Sequence, residues 1–322
     1  MGLPLKMSMQ DESRIVLPGS SRLHRITMMS PRKKLTISIS KSVTISIPGT
    51  TANLGPGFDS FGLALDLANL VTITQKEPTT SLPPMVEATA ECFFNGSGLI
   101  PFPFDWKIKG SVPQARGLGS SVTVRLGVLM GLNKLCGLPL SRDGIFRLCA
   151  ELEGHPDNAA PALFGGFTLA RSLAEPLRYT VSSALRFILL IPNFEVATPD
   201  ARKVMPKSIS VSESAANAAD AAVIAVAFAT KRYHLLCGAF GDRLHQPYRT
   251  KLVPFLPDVI KAAELNGAIG GWLSGSGSTI CALAPDAASA PHIARMMKIK
   301  APKGSKIVIC TADNQGATVL KG

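Results

Sequence analysis

The order in which strand and helix patterns follow one another limits the folds open to this chain. Residues 35–39 and 43–47 alternate apolar and polar side chains, as half-buried strands do. Further strand and helix patterns are mixed along the chain, without the regular alternation of a doubly wound parallel sheet. The sequence therefore predicts an α+β fold with two lobes, whose boundary is expected near 171–186.

The other patterns define the remaining expected elements. Strands are predicted at 62–74, 104–108, 187–191, 279–284 and 307–311, and we expect the strand at 307–311 to be the last. Helices are predicted at 85–94, 120–135, 142–152, 215–229, 233–238 and 256–266. Ser141 precedes the third helix and is a natural N-cap, because its hydroxyl can accept a hydrogen bond from the first turn.

Composition favours a globular protein over a membrane protein. The chain has 322 residues, of which 46% are hydrophobic and 17% charged, a soluble balance for one large or two intertwined domains. Its most apolar run, 184–192, is broken by Arg186 and is far shorter than the roughly 18 residues of a membrane helix. The six scattered cysteines lack the spacing of a zinc site and indicate a reduced, cytoplasmic setting.

The net charge of +12 is partly concentrated in residues 1–40, which hold seven Lys or Arg and two acidic residues. The rest of the chain has no basic run, and the chain has only two Trp and three Tyr for bases to stack on, so we expect anionic metabolites as ligands, and no nucleic acid. Residues 1–35 lack helix or strand periodicity and are predicted to be a flexible leader. A transit peptide is one alternative, and an upstream false start before Met28 or Met29 is another.

A first glycine-rich segment, 113–121 (PQARGLGSS), lies between a predicted strand and a predicted helix. Gly117 and Gly119 allow a bent backbone whose N–H groups converge, and the dipole of the following helix adds partial positive charge at the same point. Such a turn can hold a phosphate chain. No Lys follows the glycines as in a P-loop, and a plain tight turn is the alternative.

Two further glycine-rich segments suggest close approaches of the backbone. In 53–59 (NLGPGFD), a rigid turn presents Asn53 and Asp59 to a small polar ligand, with a purely structural turn as the alternative. In 267–279 (GAIGGWLSGSGST), Trp272 favours contact with another segment or a ligand over a flexible linker.

Polar groups are dense in residues 151–158 (ELEGHPDN), where a predicted helix ends. Carboxylates at a helix end, followed by His, Asp and Asn on a turn, are candidates for an acid, a base and a metal ligand. A lone His155 would more often be structural, but its position among these groups favours a functional role.

These segments, together with SIPGTTANLGPGFDSFGLAL at 46–65 and DRLHQPYR at 242–249, resemble the homoserine kinase branch of the GHMP kinase superfamily. The order and rough spacing of the motifs also match, from about residue 43 to residue 317. GLGSS is typical of the superfamily, whereas GHPDNAAP together with RLHQPYR is much narrower and indicates the homoserine branch.

The resemblance implies a two-lobe GHMP kinase-like fold, with an N-terminal ATP-binding lobe at 36–180 and a C-terminal ferredoxin-like lobe at 181–322. It implies ATP, Mg²⁺ and phosphorylation of the L-homoserine hydroxyl to O-phospho-L-homoserine in threonine biosynthesis. By analogy the protein would be a homodimer. A kinase for another small hydroxyl metabolite and a non-catalytic ligand-binding relative are the alternatives.

The resemblance also implies where ATP and the metal bind. The ATP phosphates would contact Pro113, Arg116, Gly117, Leu118, Gly119, Ser120 and Ser121. Mg²⁺ would bind Ser121 and Glu153, with Ser120 and Glu151 as close rivals. Two protein ligands suffice, because phosphate oxygens commonly complete the coordination of Mg²⁺.

For the substrate, charge complementarity supplements the resemblance. Arg202 and Arg249 would hold the carboxylate, since a planar guanidinium makes bidentate contacts, and Arg243 is the rival of Arg202. Asp59 would pair with the ammonium group.

The hydroxyl end of the substrate would meet Asn53, His155 and Asn158, which would orient it. Asp157 is the catalytic base candidate, because superfamily relatives use an Asp in that role. Catalysis by positioning and charge neutralisation is the alternative, and phosphoryl transfer permits it.

The sequence departs from the family pattern at three places. Ser278 stands where proline is common, and Val122, Thr123 and Val124 replace small residues after GLGSS. The stretch 75–85 is short, and in the superfamily that neighbourhood helps to hold the nucleotide base.

Overall fold

The computed structural model describes residues 41–321, and all elements below lie within that range. The predicted leader at 1–35 and the strand predicted at 35–39 fall outside the described residues. Strands and helices are mixed over two sheets, as the predicted α+β class requires.

The first sheet contains six antiparallel strands. They are β1 Ser42–Ala52, β2 Phe61–Thr74, β3 Asp105–Gly110, β4 Phe167–Leu169, β5 Leu177–Tyr179 and β10 Thr318–Lys321. The order is β10–β1–β2–β4–β5, and β3 pairs with another part of β2. Because β1 exposes Ser42 and buries Val43, Ile45 and Ile47, its apolar–polar alternation matches a sheet with one core face.

Four helices share a hydrophobic core with this sheet. They are α1 Pro84–Ser97, α2 Ser120–Leu135, α3 Arg142–Glu153 and α4 Ala159–Phe164. The predicted N-cap of α3 is confirmed, since the Ser141 hydroxyl accepts a hydrogen bond of 3.1 Å from the Gly144 amide. The predicted bounds of α2 are also confirmed.

The second sheet contains four antiparallel strands in the order β9–β6–β8–β7. They are β6 Arg186–Ile191, β7 Gly270–Leu273, β8 Ile280–Ala284 and β9 Lys306–Cys310. This order is that of a split β-α-β, ferredoxin-like unit, as predicted for the C-terminal lobe.

The second half of the chain contributes the remaining helices. They are α5 Thr198–Lys203, α6 Val211–Thr230, α7 Gln246–Arg249, α8 Leu256–Leu265 and α9 Ala290–Ile299, with a 3₁₀ helix at Tyr233–Leu236. Phe187 and Leu189 of β6 join a core shared with β2 and α6, whereas Ile188 and Leu190 join a core shared with α8 and α9. The run FILLI is continuously apolar because both faces of β6 are buried.

Several elements differ from the sequence prediction. Residues 307–311 are not the last strand, because β10 follows and pairs with β1. The helix predicted at 233–238 is a 3₁₀ helix that ends at Leu236. The elements that were not predicted are α4, β4, β5, α5, α7, β7, α9 and β10. Most of these have only three to six residues, too few for a periodic pattern to emerge.

Two of the three departures from the family pattern are accommodated by the fold. The Ser278 side chain is buried and its hydroxyl donates a hydrogen bond of 2.7 Å to the Phe194 carbonyl. Val122 joins the core of the first sheet, and the Thr123 hydroxyl accepts a hydrogen bond of 2.9 Å from Asn69 Nδ2. These residues therefore have structural partners of their own.

Within residues 41–321, only α6 is long and apolar enough to cross a membrane by length and composition. Its most apolar 18-residue window has a mean hydropathy of 1.2, and 22% of that window is buried in the fold. A single helix of this kind is weak evidence for a membrane span, because helices of soluble proteins pass the same test.

Candidate active site

A cleft of about 640 Å³ is bounded by residues from both halves of the chain. The predicted site residues on its wall are Asn53, Asp59, Arg116, Gly117, Gly119, Ser120, Ser121, Glu153, His155, Asp157, Asn158, Arg202 and Arg249. Four candidates do not line it. Pro113 is half-buried, Leu118 lies in the hydrophobic core, and the rivals Glu151 and Arg243 are elsewhere on the surface.

The glycine loop, residues 113–121, packs against the third glycine-rich segment. Gly117 and Gly119 have φ of +70° and +69°, in the left-handed region. A Cβ atom on Gly117 would lie 2.0 Å from the Ser274 carbonyl oxygen, and one on Gly119 would lie 2.2 Å from Thr50 Oγ1. Only glycine permits both the conformation and the close approach at these two positions.

The glycine loop leads directly into the N-terminus of α2. Its N-cap is Gly119, which has no side chain to accept hydrogen bonds from the first turn. Ser120 and Ser121 begin the helix and lie on the cleft wall. The uncapped N–H groups and the helix dipole therefore make this end of the cleft favourable for an anion.

Arg116 anchors the glycine loop to the connection after β6. Its Nε donates a hydrogen bond of 3.1 Å to the Pro192 carbonyl, and its Nη1 lies 3.2 Å from Glu195 Oε1. The guanidinium is thus held by protein groups on the side of the loop, which fixes the position of Gly117 and Gly119 over the cleft.

Replacing Gly117 with alanine is expected to lower the free energy of unfolding by about 3 kcal/mol or more, since left-handed strain adds to a clash with backbone atoms. Gly98→Ala is the matched control. Gly98 also has φ of +68°, but a Cβ there would meet no atom within 4 Å. We expect this control to lose only about 1–2 kcal/mol. Urea unfolding measures both variants, and equal losses would contradict the close approach.

Ser121 and Glu153 meet at the end of α3. Ser121 Oγ donates a hydrogen bond of 3.0 Å to Glu153 Oε2. Arg125 Nη1 lies 2.8 Å from the buried Oε1 and forms an ion pair with it, although the geometry is not that of a hydrogen bond. Burial raises the pKa of Glu153, and the Arg125 charge and the Ser121 hydroxyl oppose this only in part. A carboxylate beside a serine hydroxyl offers the hard oxygen ligands that suit a hard cation.

The turn at 53–59 is held in a strained conformation. Asn53, Leu54 and Gly55 have φ of +71°, +45° and +76°, and two of these three are not glycine. The Asn53 side chain stabilises the turn from both ends. Its Nδ2 donates to the Gly275 carbonyl at 3.1 Å, and its Oδ1 accepts from the Asp59 amide at 3.1 Å. The position of Asp59 is therefore tightly determined.

Asp59 and Arg202 form a bidentate ion pair across the cleft. Arg202 Nη2 lies 2.9 Å from Asp59 Oδ1, and Arg202 Nη1 lies 3.1 Å from Oδ2. Both side chains are partly exposed, at 35% for Asp59 and 42% for Arg202. The contact joins the turn after β1 to α5, and both charged groups remain accessible to a ligand.

Arg249 lies at the same end of the cleft but is buried. Its Nη1 donates a hydrogen bond of 2.8 Å to the Gly275 carbonyl, and burial lowers its pKa to about 10. The guanidinium groups of Arg202 and Arg249 lie 5.5 and 5.4 Å from the centre of the Phe58 ring. Arg243, by contrast, pairs with Asp220 at 2.8 Å and lies away from the cleft wall.

His155, Asp157 and Asn158 form a hydrogen-bonded cluster in the middle of the cleft. Asp157 Oδ1 lies 2.5 Å from His155 Nδ1 and accepts from Asn158 Nδ2 at 3.2 Å. Asn158 Oδ1 in turn accepts from the Thr50 hydroxyl at 2.7 Å. Burial lowers the pKa of His155, but the hydrogen bond and charge of Asp157 outweigh it and raise the pKa overall. Ligand atoms of Asp59, His155 and Asp157 lie within 4.8 Å of one another.

Comparison with known proteins identifies the family. Family models match the chain as GHMP kinases N terminal domain at residues 84–166 and as GHMP kinases C terminal at residues 224–303. The homoserine kinase of Clostridium beijerinckii is 36% identical over 300 residues, which cover 87% of this chain and 99% of that protein. The chain belongs to the homoserine kinases. The predicted family is therefore confirmed.

Other homoserine kinases give the same result. The Thermus thermophilus enzyme is 37% identical over 276 residues, covering 82% of this chain and 94% of that protein. The crystal structure of homoserine kinase from Cytophaga hutchinsonii superposes with a TM-score of 0.81 at 28% identity, covering 88% of this chain and 98% of that one. The predicted two-lobe GHMP kinase-like fold is also confirmed.

The cleft of this homoserine kinase family member also has an apolar part, of which the sequence did not single out Val86, Trp106 and Ile108. Its apolar part is lined by Pro83, Met85, Val86, Trp106, Ile108 and Val124. Ile108 and Met85 are 37% and 38% exposed, so part of their apolar surface faces the cleft or solvent. Trp106 is one of only two tryptophans in the chain, and an aromatic residue on a short strand was the available signal.

Proposed function

We propose that this chain transfers the γ-phosphoryl group of ATP to the hydroxyl of L-homoserine, giving O-phospho-L-homoserine and ADP, in threonine biosynthesis. The observation that carries the proposal is that one cleft wall combines two sets of groups. One set, a glycine loop and a helix N-terminus, is suited to phosphates. The other set, two arginines and an aspartate, is suited to an amino-acid zwitterion and forms what we call the substrate end. The names of the relatives support the same reaction.

The ATP phosphates bind at the glycine loop in this proposal. The backbone of Gly117 and Gly119 and the first turn of α2, with Ser120 and Ser121, donate N–H groups to them. Leu118 supports the loop from the hydrophobic core, and Arg116, on the cleft wall, holds the loop through Pro192 and Glu195. Pro113 begins the loop and does not line the cleft. The nucleotide base lies on the apolar part of the cleft, where Trp106 offers a ring for stacking.

Mg²⁺ is the metal that we assign to Ser121 and Glu153. A hydroxyl and a carboxylate are hard oxygen ligands, and the 3.0 Å hydrogen bond from Ser121 Oγ to Glu153 Oε2 supports the assignment. Glu151 is exposed and does not line the cleft, which favours Glu153. Ser120 and Ser121 both line the cleft, and we retain Ser121 because its hydroxyl contacts Glu153. When bound, Mg²⁺ would neutralise charge on the β- and γ-phosphates.

The charges of the substrate zwitterion are complementary to those of the two arginines and the aspartate on the cleft wall. Arg249 holds the carboxylate from a buried position, and Arg202 contributes a second guanidinium. Asp59 pairs with the ammonium group. Asp59 and Arg202 pair with each other in this structure. When the substrate binds, its ammonium group pairs with Asp59 and its carboxylate with Arg202, so one ion pair is replaced by two. This exchange favours ligands that carry both an ammonium group and a carboxylate.

The hydroxyl of the substrate meets the cluster of His155, Asp157 and Asn158, with Asn53 beside it. His155 and Asn158 both contact Asp157 Oδ1, so Oδ2 is the oxygen that we assign to the hydroxyl proton. The hydroxyl oxygen then bonds to the γ-phosphorus, the bond to ADP breaks, and the proton leaves along this hydrogen bond. Positioning supplies most of the acceleration in such a transfer.

The proposal also includes the domain organisation, the location in the cell and the oligomeric state. The N-terminal ATP-binding domain spans 36–180 and the C-terminal domain 181–322, with β10 returning to the first sheet. The enzyme acts in the cytoplasm, where its six free cysteines stay reduced, without membrane or nucleic-acid partners. By analogy with the family it is a homodimer.

The test is an assay of ADP release with ATP, Mg²⁺ and a panel of L-homoserine, L-serine, L-threonine, mevalonate and galactose. We expect turnover with L-homoserine and at most a few per cent of that rate with the other compounds. Turnover confined to a different compound would refute the assigned substrate. ATP binding without turnover of any compound would refute catalysis.

A further inference from the structure

A completely buried histidine lies behind the substrate end of the cleft and does not line it. His245 immediately precedes α7 and is 0% exposed. Its Nε2 lies 2.9 Å from the Gly55 carbonyl oxygen, and its Nδ1 lies 3.3 Å from Arg249 Nη1. Its ring centre is 5.3 Å from that of Phe58. One imidazole thus contacts the turn at 53–59 and the buried arginine at the same time.

The polar partners of His245 determine its tautomer. Its Nε2 lies 2.9 Å from the Gly55 carbonyl oxygen and 3.4 Å from Asp242 Oδ2. A carbonyl or carboxylate oxygen can only accept a hydrogen bond, so Nε2 carries a proton and donates to Gly55. A guanidinium can only donate, so Nδ1 accepts from Arg249 and carries no proton. Burial, opposed in part by the Asp242 carboxylate, lowers the pKa of His245 to about 4. The ring is therefore neutral at physiological pH, in one tautomer.

The contacts of Arg249 show what this neutral ring does. Nη1 donates both to the Gly275 carbonyl at 2.8 Å and to His245, and Nε donates to the Ala201 carbonyl at 3.3 Å. Within the described part of the chain, Nη2 makes no hydrogen bond to a protein group. Three segments thus fix the plane of the guanidinium, and one nitrogen remains for a ligand.

We propose that His245 is a positioning residue, a neutral hydrogen-bond acceptor that orients Arg249 and ties it to the turn that carries Asp59. The groups that receive the substrate carboxylate and ammonium are then held at a constant separation. This inference rests on the proposed function, and it adds a residue that contacts no substrate. A protonated ring could not fill this role, because its Nδ1–H would face a second donor.

Two substitutions separate the donor role of His245 Nε2 from the acceptor role of Nδ1. In His245→Gln, the amide nitrogen can still donate to Gly55, but the acceptor for Arg249 is lost. In His245→Asn, the amide oxygen occupies the position of Nδ1 and can still accept from Arg249, but the donor to Gly55 is lost. Thermal unfolding of both variants reports whether each is folded.

Steady-state kinetics use L-homoserine and 3-amino-1-propanol, which keeps the hydroxyl and the ammonium but lacks the carboxylate. We expect His245→Gln to raise KM for L-homoserine about tenfold or more, with kcat and KM for ATP within about twofold. The activity on 3-amino-1-propanol should be unchanged. We expect His245→Asn, which keeps the acceptor for Arg249 and loses only the hydrogen bond to the turn, to raise KM for both substrates by no more than about threefold. An unchanged KM for L-homoserine in His245→Gln, or equal losses on both substrates in that variant, would overturn the proposal.

A second measurement does not depend on the assigned substrate. Nitrogen-15 chemical shifts of the wild-type protein report the protonation of both His245 ring nitrogens. We expect Nε2 protonated and Nδ1 unprotonated throughout pH 5.5 to 8, as the pKa of about 4 requires. Titration of the ring near pH 6.5, or the opposite tautomer, would refute the positioning role even if the enzyme phosphorylates L-homoserine. Absence of homoserine turnover with the expected tautomer would refute the proposed function alone.

Discussion

Arg249→Leu is expected to lower kcat/KM for L-homoserine on the order of 10²–10³-fold, because it removes a desolvated cation from the carboxylate site. Arg249 is only 3% exposed and its guanidinium is aligned by protein acceptors, so little of its interaction is screened by water. The loss should appear mainly as an increase in KM. KM for ATP should change by less than about threefold, since the glycine loop is not altered.

Arg243→Leu is the matched control for this substitution. Arg243 was the sequence-level rival of Arg202, but it pairs with Asp220 and does not line the cleft. We expect its kcat/KM to stay within about threefold of the wild type, since a partly exposed ion pair contributes little. Similar losses in Arg243→Leu and Arg249→Leu would refute the assignment of Arg249 to the substrate.

Glu153→Gln is expected to lower kcat on the order of 10³-fold, because the proposed Mg²⁺ site would lose its one carboxylate ligand from the protein. The amide has nearly the same shape and can still accept from Ser121, but the ion pair with Arg125 is lost, so thermal unfolding is measured alongside to confirm that the variant is folded. The Mg²⁺ concentration for half-maximal activity should rise about tenfold or more. ADP release at several Mg²⁺ concentrations measures both effects. Titration with Mn²⁺ in the presence of ADP tests metal affinity without turnover.

The control is Glu151→Gln, two residues earlier on the same helix. Glu151 is exposed and lies off the cleft wall, so we expect its kcat and Mg²⁺ requirement to remain within about twofold of the wild type. A larger defect in Glu151→Gln than in Glu153→Gln would assign the metal to the rival carboxylate instead.

Local patterns account for most of what could be predicted. The bounds of α2 were predicted because a glycine turn, a serine start and helical spacing of apolar residues all lie within one short stretch. The patterns at 43–47 and 62–74 predicted β1 and β2, but β1 continues beyond the predicted end at Ile47 to Ala52. Short elements such as β4 and α7 could not be predicted, because their conformation depends on neighbours distant in sequence.

The sequence by itself determined the family, the α+β class and the residue types available for the site. Motifs such as GLGSS, GHPDN and RLHQPYR are contiguous, so they can be read without knowledge of the fold. It also narrowed the metal ligands to two serines and two glutamates, but it could not choose among them. On α3, Glu151 and Glu153 differ in direction, and only the packing of that helix decides which one faces Ser121.

Only the tertiary structure decided which distant residues act together. Asp59 and Arg202 are 143 positions apart and form a bidentate pair, and His245 lies 190 positions from Gly55, whose carbonyl it contacts. Such pairs have no periodic or local signature, because they arise where the two sheets and their helices pack against one another. The strained turn, the glycine loop and the buried arginine acquire their geometry from that packing, and the site exists only once both lobes have folded.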